Sequence, residues 1–310
     1  MPRLRSTALP RGRRGFSIVE LLIALVMMGV IGLVASRLML GQQRFYQRTN
    51  EQMGMRRELR TALSLLPAEL RSISSSGGDI RTFDANSITF RSVLGIGVVC
   101  ARTNNSIDIP PTNMARNSLS GWYSQPAIGD TIWAFNDSLS RGAEDDVWTP
   151  LRITAVQSST GYCAGSPYTD AALDVNKARW RFTVTPNVPD SVVAGAALRF
   201  TRSTKYELQQ QGSTSRYYLA RSEYVNGAWS AATWVSGPYA APTNLGSSGI
   251  RLAMYDSTGA AVTDVAQSRR IARIDLRLRA TGLNSSGTFG VTNTSNTDSV
   301  LFRIALRNRQ

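Results

Sequence analysis

Histidine is absent from this chain of 310 residues, and cysteine occurs only twice, at Cys100 and Cys163. Without histidine there is no Ser-His-Asp triad, no Cys-His dyad and no imidazole-ligated zinc or iron. Two thiols cannot complete a four-cysteine metal site or hold an iron–sulfur cluster. Lysine is nearly missing as well. Lys177 and Lys205 are the only two, so arginine carries almost all of the formal net charge of +14. A basic balance admits anionic partners such as nucleic acid or lipid headgroups, but says nothing of fold. No internal repeat of fixed period is visible, which argues against a solenoid or propeller. Acid-pair chemistry stays formally open; nothing else points to an enzyme, and no cofactor is expected.

What the chain does have stands at its N-terminus. From Phe16 to Ser36 the only charge is Glu20, with Arg13 and Arg14 before the run and Arg37 after it. At about 1.5 Å per helical residue this run reaches roughly 30 Å, enough to cross a bilayer. The leader before it holds Arg3, Arg5, Arg11, Arg13 and Arg14 and no acid. That asymmetry sets the N-terminus on the cytoplasmic side. A carboxylate inside an apolar span costs a few kcal/mol, so Glu20 needs a partner or a purpose. The plain alternative is a signal anchor that tolerates one acid. A cleaved signal peptide fits worse, because its small-residue site should follow the apolar core.

Gly15-Phe-Ser-Ile-Val-Glu20, behind a short basic leader and ahead of an unbroken apolar run, resembles the signal of type IV prepilins and type II secretion pseudopilins. The resemblance implies that a prepilin peptidase cuts between Gly15 and Phe16 and N-methylates Phe16. It also implies that the helix packs with other pilins in a filament core, where Glu20 pairs with a neighbour's N-terminal amine. It further implies an α+β fold, a long N-terminal helix laid on an antiparallel sheet. Arg56-Arg-Glu-Leu-Arg60 through Leu65-Leu-Pro-Ala-Glu-Leu-Arg71 and the ending Phe302-Arg-Ile-Ala-Leu-Arg-Asn308 are similar to PilW-type minor pilins, the first also to GspJ-type pseudopilins. The implied protein is a non-enzymatic minor pilin acting in pilus assembly or initiation. A GspJ-type pseudopilin is the alternative, and so is a pilus-borne adhesin or DNA-binding subunit. It sits in the inner membrane with its ectodomain periplasmic, and then in a pilus at the cell surface.

Three segments are expected: a leader over 1–15, a helix over 16–75 and a β-rich domain over 76–310. Within the helix, 16–36 spans the membrane and 37–75 is amphipathic. Phe45, Gln52, Met55, Leu59, Ala62, Leu63, Leu66, Leu70 and Ile73 recur mostly at three- and four-residue steps, which predicts one apolar stripe. Pro67 should kink or restart the last turns, and Ser74-Ser-Ser-Gly-Gly78 should end them. Strands are then predicted around 87–91, 97–100, 131–135, 147–156, 180–184, 199–208, 216–221 and 228–230, with hairpin turns at Gln211-Gly212 and Asn226-Gly227. The last two strands are the clearest. Ile274, Leu276 and Leu278 alternate with Arg273, Asp275, Arg277 and Arg279, and Val300, Phe302, Ile304 and Leu306 with Arg303, Arg307 and Arg309. Period two with one oily face predicts a half-buried antiparallel sheet, the natural partner of the helix stripe.

Three further groups are worth naming. Downstream of a membrane span, an oxidising compartment favours a Cys100–Cys163 disulfide, with two buried thiols as the alternative. Glu144, Asp145 and Asp146, near Asn136 and Asp137, offer oxygens for calcium but not the spacing of an EF-hand loop; a solvated turn explains them as well. Arg273, Arg277, Arg279, Arg303 and Arg307 form a basic face that suits DNA or an acidic pilin. A solvated sheet face is the competing account, since no aromatic stacking platform lies on those two strands. Of the six tryptophans, Trp133, Trp148 and Trp180 fall in strand patterns and read as core.

Overall fold

The computed structural model describes residues 15–114, 119–136, 147–161, 163, 169–242, 248–282 and 297–306. The chain divides into two compact units, residues 1–52 and 53–310. Helix α1 runs Ile18–Arg71. It continues through Pro67, which is buried one turn before the helix ends; packing there offsets the hydrogen bond that proline cannot donate. Beyond the helix a tight turn ends at Gly78, which adopts φ 75°, a region open to glycine. The Asp79 carboxylate holds that turn by accepting from the Ser74 amide at 2.7 Å.

Fifteen strands follow among the described residues. They are β1 Ile80–Phe83, β2 Ser87–Val98, β3 Ala101–Arg102, β4 Ser106–Ile109, β5 Gly121–Trp122, β6 Thr131–Asn136, β7 Val147–Thr160 and β8 Ala178–Thr185. After these come β9 Ala197–Gln210, β10 Tyr217–Val225, β11 Ala228–Trp229, β12 Thr233–Tyr239, β13 Ile250–Tyr255, β14 Arg273–Thr281 and β15 Thr297–Ala305. A short 3-10 helix, Val265–Arg270, precedes β14. All pairings are antiparallel, so the architecture is α+β in the pilin manner: a long N-terminal apolar helix and an antiparallel sheet.

The long strand β9 organises the sheet. One edge pairs with β2 along almost its whole length. Its other edge is shared, β6 taking Leu198 to Thr201 and β10 taking Thr204 to Gln210. The β10–β11 hairpin closes on Asn226 and Gly227 at φ 54° and 87°, the left-handed pair that a two-residue turn requires. Where β5 crosses β2, a Cβ at Gly95 would come within 2.1 Å of the Gly121 carbonyl oxygen, so only glycine fits.

Two hydrophobic cores result. In the first, Met55, Leu59, Ala62, Leu66 and Leu70 of α1, with Ile73, pack on Ile88, Phe90, Tyr206, Leu252, Ile274, Leu276 and Leu278. The second gathers Leu94, Ile132, Leu151, Ile153, Phe182, Leu198 and Phe200 from β2 and β6–β9. Strands β2 and β9 feed both cores. Between the apolar stretches lies a polar row, in which Ser92 faces Arg202 and Ser92 Oγ lies 2.7 Å from Thr204 Oγ1.

The helix stripe is shorter than its spacing predicts. Burial begins at Met55, whereas Phe45 and Gln52 are exposed. The alternation in β14 and β15 has the expected faces: Ile274, Leu276, Leu278 and Ile304 are fully buried, and Arg277 and Arg303 are exposed. Residues 87–91 and 97–100, expected as separate strands, mostly merge into β2, which ends at Val98. Trp133 is buried and Trp180 half-buried, but Trp148 is 45% exposed and is not a core residue. It packs tilted against Phe135 instead, with ring centroids 5.4 Å apart.

Candidate functional site

The N-terminal end of α1 is built from Ser17 and Glu20. The Ser17 hydroxyl accepts the amide of Val19 at 3.3 Å, and the Glu20 carboxylate reaches back to accept the amide of Ser17 at 3.2 Å. Ser-Ile-Val-Glu is thus a capping box, with serine at the N-cap and glutamate three residues on. The amide it accepts from, Ser17, is one residue after Phe16. No neighbouring atom restricts Gly15: a Cβ there would meet nothing within 4 Å. From Phe16 to Arg48 every side chain is exposed, including Leu22, Ile23, Val26, Met27 and Ile31. Among the described residues α1 is the one helix long and apolar enough to cross a membrane. Its apolar length suits hydrocarbon or other helices rather than water.

A family model, the prokaryotic N-terminal methylation motif, matches residues 10–36. The chain carries a prepilin-type signal. No curated protein and no solved structure matches the chain. The motif supports the family of type IV pilins and pseudopilins, substrates of prepilin peptidase that assemble into pilus-like filaments. Together with the apolar helix it fits a membrane-anchored pilin. It also favours a structural role over catalysis.

The basic sheet face differs in membership from the one the sequence suggests. Asp275 lies between Arg273 and Arg303, 3.1 and 3.8 Å from their Nε atoms, and so offsets part of their charge. Arg273 also stacks over Tyr255 at 4.3 Å. Arg277 is exposed and stands directly opposite Arg251 of β13, a residue the sequence reading missed because it placed no strand there. A period-two reading of Ile250, Leu252 and Met254 could have found it. Arg279 is half-buried two residues further along. Arg307 lies outside the described residues.

Glu144, Asp145 and Asp146, and the leader arginines, also lie outside the described residues. Among those described, no group of three or more Asp, Glu, Cys or His side chains could hold a metal ion. Cys100 and Cys163 form a disulfide, with Cα atoms 5.6 Å apart and both residues buried.

A buried ionic chain, invisible in the sequence, links α1 to the polar row. Tyr206 Oη donates to Glu69 Oε1 at 3.0 Å, and Arg221 approaches the same oxygen at 3.5 Å. Arg221 also pairs with Glu223, which accepts from Arg202 Nη1 at 2.9 Å. Arg202 in turn grips Asp130 through two parallel bonds of 3.0 and 2.8 Å, and its remaining protons go to Ser124 Oγ and the Gln125 carbonyl oxygen. Burial pushes the Glu69 carboxyl up, against the opposing charge of Arg221 and the Tyr206 hydrogen bond. Burial likewise raises Asp130, although Arg202 opposes it. Tyr206, Arg202 and Asp130 are buried and Glu69, Arg221 and Glu223 half-buried, so the chain ties the helix to the sheet.

Proposed function

We propose that the chain is a minor type IV pilin of the PilW kind, a structural subunit for pilus assembly or initiation. The reading rests on one coincidence: the prepilin-type motif falls on a helix whose apolar length is left unburied by its own fold. Prepilin peptidase cuts between Gly15 and Phe16 and methylates the new amine. The leader arginines keep the N-terminus cytoplasmic, the domain after the helix is periplasmic, and the subunit then enters the filament with other pilins. Once freed, the Phe16 amine keeps a charge that hydrocarbon penalises, as it penalises Glu20. Pairing the amine with a neighbour's Glu20 removes both penalties and sets the axial register.

Intact-mass measurement of the protein from its own cells tests this reading. The expected species begins at Phe16 with one added methyl group; a species beginning at Met1 or beyond Ser36 would falsify it. Counting the subunit in sheared pili then separates a pilus subunit from a GspJ-type pseudopilin, which should be absent from them.

A further inference from the structure

The outward face of β13, β14 and β15 carries more positive charge than its own fold can offset. Three residues per register share that face: Arg251, Arg277 and Leu301 in one row, Ala253, Asp275 and Arg303 in the next, Tyr255, Arg273 and Ala305 in the third. Arg279 adds a further guanidinium beside Ser299. Asp275 is the sole acid on these three strands' outward face, and Arg273 and Arg303 already use it. Among the described residues, Arg251, Arg277 and Arg279 have no ion-pair partner. Like charges directly opposite each other in a sheet repel, so the Arg251–Arg277 pair is a local cost to folding that an anionic ligand would relieve. The opposite face of β14 is fully committed to the helix-side core, so the arginine face is the one left for a ligand.

We infer that this face binds the phosphate backbone of a nucleic acid duplex without reading its sequence. Neighbouring strands stand about 4.8 Å apart and alternate residues about 6.8 Å apart. The guanidiniums therefore stand on a closely spaced grid, and duplex DNA presents one negative charge per roughly 1.7 Å of axis. Guanidinium forks bond phosphate oxygens in pairs, as ammonium groups do not. The ligand is a duplex rather than a single strand because bases need a free aromatic platform. The one aromatic ring on this face, Tyr255, is covered by Arg273 at 4.3 Å. A second copy of the chain is disfavoured as occupant by its own net charge, +14 with the leader and 14 − 5 = +9 without the five leader arginines.

The test uses the full chain in detergent and a fluorescein-labelled mixed-sequence 30-base-pair DNA, read by anisotropy across a salt series. The expected result is binding that weakens with salt and does not depend on sequence. Arg251→Gln with Arg277→Gln should weaken it at least about tenfold and make the slope of log K against log salt shallower by about two. Arg81→Gln with Arg152→Gln, an equal charge loss at exposed positions elsewhere, should cost less than about threefold. Equal losses in the two double variants would mean that net charge alone drives binding, and would overturn the proposal. So would tighter binding of the single strand, or tighter binding of poly-glutamate of equal charge, which would assign the face to an acidic protein. Melting of both variants at or above the wild-type temperature, read by circular dichroism, keeps lost binding distinct from lost fold.

Discussion

Glu20 caps α1, and one substitution separates that role from the filament pairing proposed for it. Its carboxylate caps α1 through the Ser17 amide, a role that a glutamine can fill because an amide oxygen also accepts. Pairing with a neighbour's cationic amine needs the charge itself. Glu20→Gln is therefore expected to be processed and inserted normally yet to fail in filament incorporation, as Glu20→Ala should. Methylation is assayed separately, by mass. Incorporation of the glutamine variant at wild-type level would reduce Glu20 to a helix cap. Glu69 poses the opposite case, a carboxylate whose folded value is raised by burial. Between its ordinary value of 4.5 and that raised value, the folded state holds more protons than the unfolded one, so its contribution to stability falls as pH rises. Relative to Glu69→Gln, the wild type should thus lose stability as pH climbs through that window and level off above it. Denaturant titrations at stepped pH measure the difference, and a wild type that gains stability relative to Glu69→Gln as pH rises contradicts the assigned sign.

Strand β14 shows how one element serves two surfaces. Leu276 is fully buried against α1 and its neighbours, while Arg277, one residue on, is exposed. Leu276→Asp should cost roughly 3–5 kcal/mol, the range for leaving a charge buried without a partner. Arg277→Ser should change stability by less than about 0.5 kcal/mol. Chemical unfolding of both variants decides it, and equal damage would mean that the faces are reversed. On β9 the alternation is interrupted for another reason. Arg202 occupies an inward position between Phe200 and Thr204, where its fork satisfies Asp130, Glu223, Ser124 and Gln125. Arg202→Met should cost about 3–5 kcal/mol because Asp130 is left buried and uncompensated. Adding Asp130→Asn should restore part of that loss.

One covalent link adds to the strand pairing. The disulfide joins Cys100 to Cys163 across a separation of 63 residues. Chain-entropy estimates give such a loop about 4 kcal/mol of stabilisation, and the bond needs the oxidising side of the membrane to persist. Protein recovered without reductant should resist alkylation at both positions. Replacing both cysteines by serine should lower unfolding stability by up to about 4 kcal/mol while leaving the membrane helix in place. Two labelled thiols in protein isolated from its own cells without reductant would contradict the bond.

Local rules made the ends of this chain readable. The Gly15-to-Ser36 signal needs only composition and order, and the alternation in β14 and β15 needs only period two, because each states its environment residue by residue. The helix stripe was half legible: periodicity finds Met55 through Leu70, but Phe45 has the same spacing and is exposed, since a pattern cannot say where its partner surface stops. Residue order also left Arg251 unremarked, because it belongs to the basic face only once β13 pairs with β14. The chain from Glu69 to Asp130 was out of reach for the same reason. Its members lie on α1, β9, β10 and the turn before β6, and none has a local signature. A buried arginine looks like a surface one in sequence; only strand pairing brings the carboxylates that make its burial tolerable.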